Sequence, residues 1–163
     1  MLSWSTEVNA RVTDMVSGVS PFPKVMDVLQ KAAIRADMIV VSQTPLESLE
    51  REWEENSMTP YVSLIAGQEH GTKSEHIHFA TEGKGYGTDK VLKVGDAPGD
   101  FKAAMDNKAL FYPIIPGQEE MSWKRLADEG LERFFNGTFA GEYQQKLIKE
   151  FDNALPEHPP WAA

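Results

Sequence analysis

The chain predicts a three-layer α/β domain with a parallel sheet, because short apolar runs alternate with stretches of helical periodicity along most of its length. Residues 38–42, 61–66, 90–94 and 109–112 are the apolar runs, and helical patterns separate them. Strands that alternate with helices are joined by crossovers, so they run parallel and the helices cover both faces of the sheet. Ligands of such sheets sit beyond the carboxyl ends of the strands, where Ser42, Gly67 and Asp96 fall.

Each element has its own local signal. Trp4, Val8, Val12, Met15 and Val16 recur at helical spacing until Gly18, so residues 1–20 read as a helix and its exit. Pro21, Phe22 and Pro23 make a stiff corner, after which Val25, Val28, Leu29, Ala32 and Ala33 mark a second helix leading into the first strand. Pro45 stands where a first-turn proline is tolerated, and Leu46, Leu49 and Trp53 give the next helix one apolar face. After the strand at 61–66, Thr72 and Glu75 match a reciprocal capping box, so a helix should run from Lys73 through Phe79. The glycines at 83, 85 and 87 form a loop, which lacks the preceding strand and following helix of a dinucleotide site. The third strand at 90–94, a helix after Pro98 and the fourth strand at 109–112 complete the alternation. Beyond Pro116 the pattern is purely helical, with Leu126, Leu131 and Phe134, then Phe139, Tyr143, Leu147, Phe151 and Leu155. These two helices are expected to cover a sheet edge or a dimer contact. Residues 156–163, rich in proline, should be irregular.

Bulk properties narrow the class. With 163 residues the chain suits one domain, assigned to residues 21–155, and not two. A composition of 41% hydrophobic and 25% charged residues is that of a globular protein. No apolar run approaches the roughly 20 residues of a membrane span, and the first residues lack the pattern of an export signal, so neither membrane nor secretion is expected and cytoplasmic is the default. A net charge of -9 with scattered basic residues argues against a nucleic-acid partner. The absence of cysteine excludes thiol catalysis and thiolate metal sites.

Chemistry concentrates in residues 95–100, Gly-Asp-Ala-Pro-Gly-Asp. Asp96 directly follows a strand and Asp100 lies in the first turn of the next helix, so two carboxylates can converge on a hard cation such as Mg²⁺. Alternatively, Asp100 caps that helix. Ser42 ends the run Met38, Ile39, Val40, Val41, and its hydroxyl, with the N–H groups of Gln43 and Thr44, is placed for a phosphoryl oxygen or for an ordinary helix cap. Lys73 opens a helix, where a cation opposes the helix dipole unless an anion lies beside it. His70, His76 and His78 are close in sequence, but positions 76 and 78 of a helix point apart, so no metal site is read there.

In order and context, Ser42 after a strand, Lys73 at a helix start and Gly95, Asp96, Asp100 after another strand resemble the second, third and fourth motifs of the haloacid dehalogenase superfamily of aspartate-nucleophile phosphatases. The resemblance covers residues 21–112 and implies a Rossmann-like sheet. It also implies that Ser42 and Gln43 hold a phosphoryl group, that Lys73 neutralises it and serves catalysis, and that Asp96 with Asp100 holds Mg²⁺. A small phosphorylated substrate would follow, and phosphoryl transfer is chemistry in which positioning and charge neutralisation dominate.

The family's first motif, a central strand ending in Asp-x-Asp that supplies the nucleophile, has no counterpart here. Asp37 begins a strand instead of ending one. The chain alone should therefore have no aspartyl-phosphate route, and the absent strand leaves two half-sheets with unpaired inner edges, so that either a missing segment or a second chain fills the gap or the two half-sheets close on each other. Residues 1–20 then read as the remnant of a cap domain and the whole as the C-terminal portion of a longer enzyme. The rival expectation is a non-catalytic binding or scaffold module that acts through a protein partner.

Overall fold

The computed structural model describes residues 18–155. Most of the N-terminal helix expected at 1–20, and the tail at 156–163, lie outside these. The described residues form α1 (Val25–Ala33), β1 (Ile39–Val41), α2 (Leu46–Glu55), β2 (Leu64–Ala66), α3 (Lys73–Thr81), β3 (Leu92–Gly95), α4 (Pro98–Asp106), β4 (Leu110–Pro113), α5 (Glu119–Arg125), α6 (Leu131–Phe135) and α7 (Glu142–Ala154). A single π-helical turn, Leu126–Gly130, joins α5 to α6.

The strand–helix alternation is present, and the strands pair in parallel. They form two separate two-stranded sheets: β1 pairs β2 with Val40 opposite Ile65, and β3 pairs β4 with Val94 opposite Tyr112. Among the described residues no backbone hydrogen bond joins the two sheets. The burial of the strands reflects this division. β4 is largely buried, whereas β1 and β3 are half-buried at every residue.

Helix packing and side-chain contacts, not hydrogen bonds between the sheets, connect the halves among the described residues. One face of α1 places Val28 and Ala32 in a core with Tyr112, Ile114, Leu126, Leu131 and Phe139, against which Leu92 and Val94 of β3 pack. Val25 and Leu29 of the same helix pack with Met58, Trp53 and Tyr61 in a second core, and Met38 touches both. Successive strand residues point to opposite faces, so Lys93 projects away from α1, towards α3 and α4. There α3 packs on both β1 and α4.

Two expected boundaries are corrected. The strand expected from Tyr61 starts at Leu64, because Pro60 sits in a 3₁₀ turn, Thr59–Tyr61, in which the Tyr61 N–H donates to Met58 O. Phe139 precedes the last helix, since Gly137 and Gly141 adopt φ of 71° and 84° and break the chain on either side of it. Its side chain is nevertheless fully buried. The last helix does cover a sheet edge: the Phe111 N–H on β4 donates to Gln144 Oε1 of α7 at 3.0 Å, and Phe111 stacks edge-on against Phe151.

Candidate functional site

Asp100 is the centre of the site. It is the third residue of α4, and its Oδ2 accepts the Ala97 N–H at 3.3 Å, so the capping expected of it is real. Its Oδ1 simultaneously receives two ammonium groups, Lys73 Nζ at 2.9 Å and Lys93 Nζ at 3.1 Å. The Asp100 side chain is 3% exposed, Lys93 12% and Lys73 23%. Burial alone would push the Asp100 carboxyl up. The Lys93 charge, with the hydrogen bonds from Lys73 and Lys93, overrules it and holds the carboxyl below the ordinary aspartate value. For Lys93 the balance is reversed: burial lowers its ammonium despite the attraction of Asp100 and, more weakly, of Asp96.

Lys73 stands where the sequence placed it, at the first position of α3, against the helix dipole. The anion that compensates it is Asp100. The capping box behind it is complete: Thr72 Oγ1 accepts the Glu75 N–H, and Glu75 Oε2 accepts both the Thr72 N–H and hydroxyl at 2.8 Å. These bonds from Thr72 lower the Glu75 carboxyl. Replacing Thr72 with alanine should cost about 1 kcal/mol, read as a shift of the urea midpoint. Asn107, at the end of α4, donates to both Ser74 O and Ser74 Oγ and ties the start of α3 to α4.

Ser42 follows β1, and its N–H extends the ladder to Ala66 O at 3.0 Å. Its Oγ accepts the Thr44 N–H and donates to Thr44 Oγ1, both at 3.1 Å. These bonds close a local turn and do not cap α2, which starts at Leu46 behind Pro45 with no side-chain cap, and the Thr44 N–H is already engaged. Gln43 is exposed, and its side chain donates to Gly71 O at 3.2 Å, which fastens the Ser42 loop to the turn immediately before Lys73. Two residues the sequence reading missed complete the frame. Lys93 is one, and a lysine inside the apolar run 91–94 was the available signal. Glu69 is the other: its carboxylate accepts the Leu46 N–H at the start of α2, a contact made across 23 residues.

Asp96 is exposed in the loop after β3. Among the described residues, no group of three or more His, Asp or Glu side chains is placed to hold a metal. Mg²⁺ commonly takes only one or two carboxylates, with water and phosphate filling the rest. Asp96 fits that requirement. Asp100 fits it only by releasing an ammonium. The histidines do not converge: His76 is buried with neither ring nitrogen hydrogen-bonded to the protein, while His70 and His78 are exposed.

A cavity of about 590 Å³ lies elsewhere, lined by Arg125, Arg133, Tyr143 and Lys146 among others. Its guanidinium groups are already paired, Arg125 with Glu150 and Arg133 with Glu129. No described helix is long and apolar enough to cross a membrane. None of the family models, curated proteins or solved structures compared with the chain matches it.

Proposed function

We propose that the chain is the core portion of a Mg²⁺-dependent phosphatase of the haloacid dehalogenase type, inactive until a further strand completes one three-layer sheet. The observation that carries this reading is the convergence of Lys73 and Asp100 at 2.9 Å, with the Ser42 loop fastened beside them through Gln43 and Gly71. Lys73 and Asp100 meet directly, and the Ser42 loop is tied through Gln43 to Gly71, two residues before Lys73. In this reading Lys73 neutralises a bound phosphoryl group and Asp100 keeps its ammonium at the mouth of β3. The Ser42 hydroxyl, part of a turn rigidified by Thr44, hydrogen-bonds a phosphoryl oxygen. Asp96 and Asp100 would hold Mg²⁺, which supplies charge neutralisation on phosphoryl oxygens. In this reading the completing strand adds to the edges of β1 and β3 that no strand among the described residues pairs, since open edges are sites of strand addition.

Incubated alone with Mg²⁺ and a chromogenic phosphate ester, the chain should show no turnover above buffer. Fusion of an upstream apolar strand ending in Asp-x-Asp should confer turnover that Lys73→Ala removes. Turnover by the chain alone, abolished in Asp96→Ala, would overturn the claim that the nucleophile is missing. The rival reading, a scaffold without chemistry, is favoured by the engagement of both Asp100 oxygens within the chain. Calorimetry with inorganic phosphate separates the two: binding lost in Lys73→Ala supports a retained pocket, and no binding supports the scaffold.

A further inference from the structure

Asp100 carries more positive charge than one carboxylate can match, and the surplus comes from Lys93. Both ammonium groups lie on the same oxygen, Oδ1, while Oδ2 is turned to the Ala97 N–H. The two lysines differ in freedom. Lys73 sits at a helix start and is 23% exposed, so it can swing towards a bound anion. Lys93 is rooted in β3 between Leu92 and Val94, which are fixed against the main core, and its side chain is 12% exposed. Lys93 also lies in the field of Asp96, and therefore feels both carboxylates to which the site reading assigns a metal.

We propose that Lys93 is an internal competitor for the cation position: its ammonium, held on Asp100 Oδ1, takes the place on that carboxylate that a divalent metal would need. The inference rests on the site reading given above and deepens it. A cation entering through Asp96 meets a buried ammonium 3.1 Å from the second carboxylate. Binding then requires either Lys93 to withdraw or the cation to join Lys73 and Lys93 as a third positive charge on one carboxylate. Metal affinity in this chain is accordingly set by a residue that is not a metal ligand.

Isothermal titration of MgCl₂ into the full chain at fixed ionic strength tests this. Lys93→Met keeps the length and apolar stem of the side chain while removing the charge, and should bind Mg²⁺ at least tenfold more tightly than the unsubstituted chain. Adding Asp96→Ala to Lys93→Met should abolish that gain. Circular dichroism confirms folding, and Lys93→Gln replaces Lys93→Met if the latter does not fold. Equal or weaker Mg²⁺ binding in the Lys93 variant overturns the proposal. If both chains bind equally and Asp96→Ala removes binding from both, the competitor fails while the metal site stands. If neither binds, competitor and metal site fall together.

Discussion

Asp100→Ala should destabilise the chain by roughly 3–5 kcal/mol, the range found when one partner of a buried ion pair is removed. The side chain is 3% exposed, and its loss leaves two ammonium groups facing each other, of which Lys93 is almost as buried as the aspartate. The Ala97 N–H at the start of α4 loses its acceptor as well. Equilibrium urea unfolding reads the effect directly. Much of the cost is the stranded charge and not the lost attraction, so Asp100→Asn combined with Lys93→Met should recover most of the stability. The acid dependence carries the same signature. The folded Asp100 carboxyl is held below its ordinary value near 3.8, so its contribution is fully present above that value and is lost as pH falls through the lower, folded one. Between neutral pH and the region below about 4 the unsubstituted chain should therefore lose part of its advantage over Asp100→Ala. A constant difference down to acid unfolding would show that the ion pairs contribute nothing.

What could be read in advance was local, and what could not was tertiary. The strand–helix alternation, the Thr72–Glu75 box and the position of Asp100 in a first helical turn all depend on residues within a few places of one another. The role of Lys93 depends on Asp100, seven residues away across a turn, and on Lys73, twenty residues before it. A lysine inside an apolar strand announces only that some anion must be near. Glu69 at the start of α2 is equally invisible, because its partner Leu46 belongs to another crossover. The division into two sheets matches one of the outcomes the family resemblance left open, since among the described residues β1 pairs only with β2 and β3 only with β4. Tyr61 misled because a β-favouring aromatic follows Pro60, and the fixed φ of proline favoured a turn over the ladder.

Gly95→Ala should cost about 3 kcal/mol, at the upper end for overpacking, and should disrupt the site with the fold. A β-carbon at this position would stand 2.4 Å from Asp100 Cβ and 2.5 Å from its Cγ, distances that real contacts essentially never reach. Neither side can give way cheaply. Gly95 is held to β4, where it pairs with Pro113 and its carbonyl accepts the Ile114 N–H at 2.8 Å. Asp100 is held by Lys73, Lys93 and the first turn of α4. The strand must therefore leave its ladder, or α4 must move and break both ion pairs. Gly99, four residues on, provides the control. A β-carbon there meets nothing within 4 Å, and the residue lies inside α4. Gly99→Ala should stabilise the chain by up to about 1 kcal/mol through helix propensity alone. Urea midpoints moving in opposite directions for two glycine-to-alanine changes four residues apart would establish that close approach of β3 to Asp100, and not backbone freedom, requires glycine at position 95. Equal shifts would refute it.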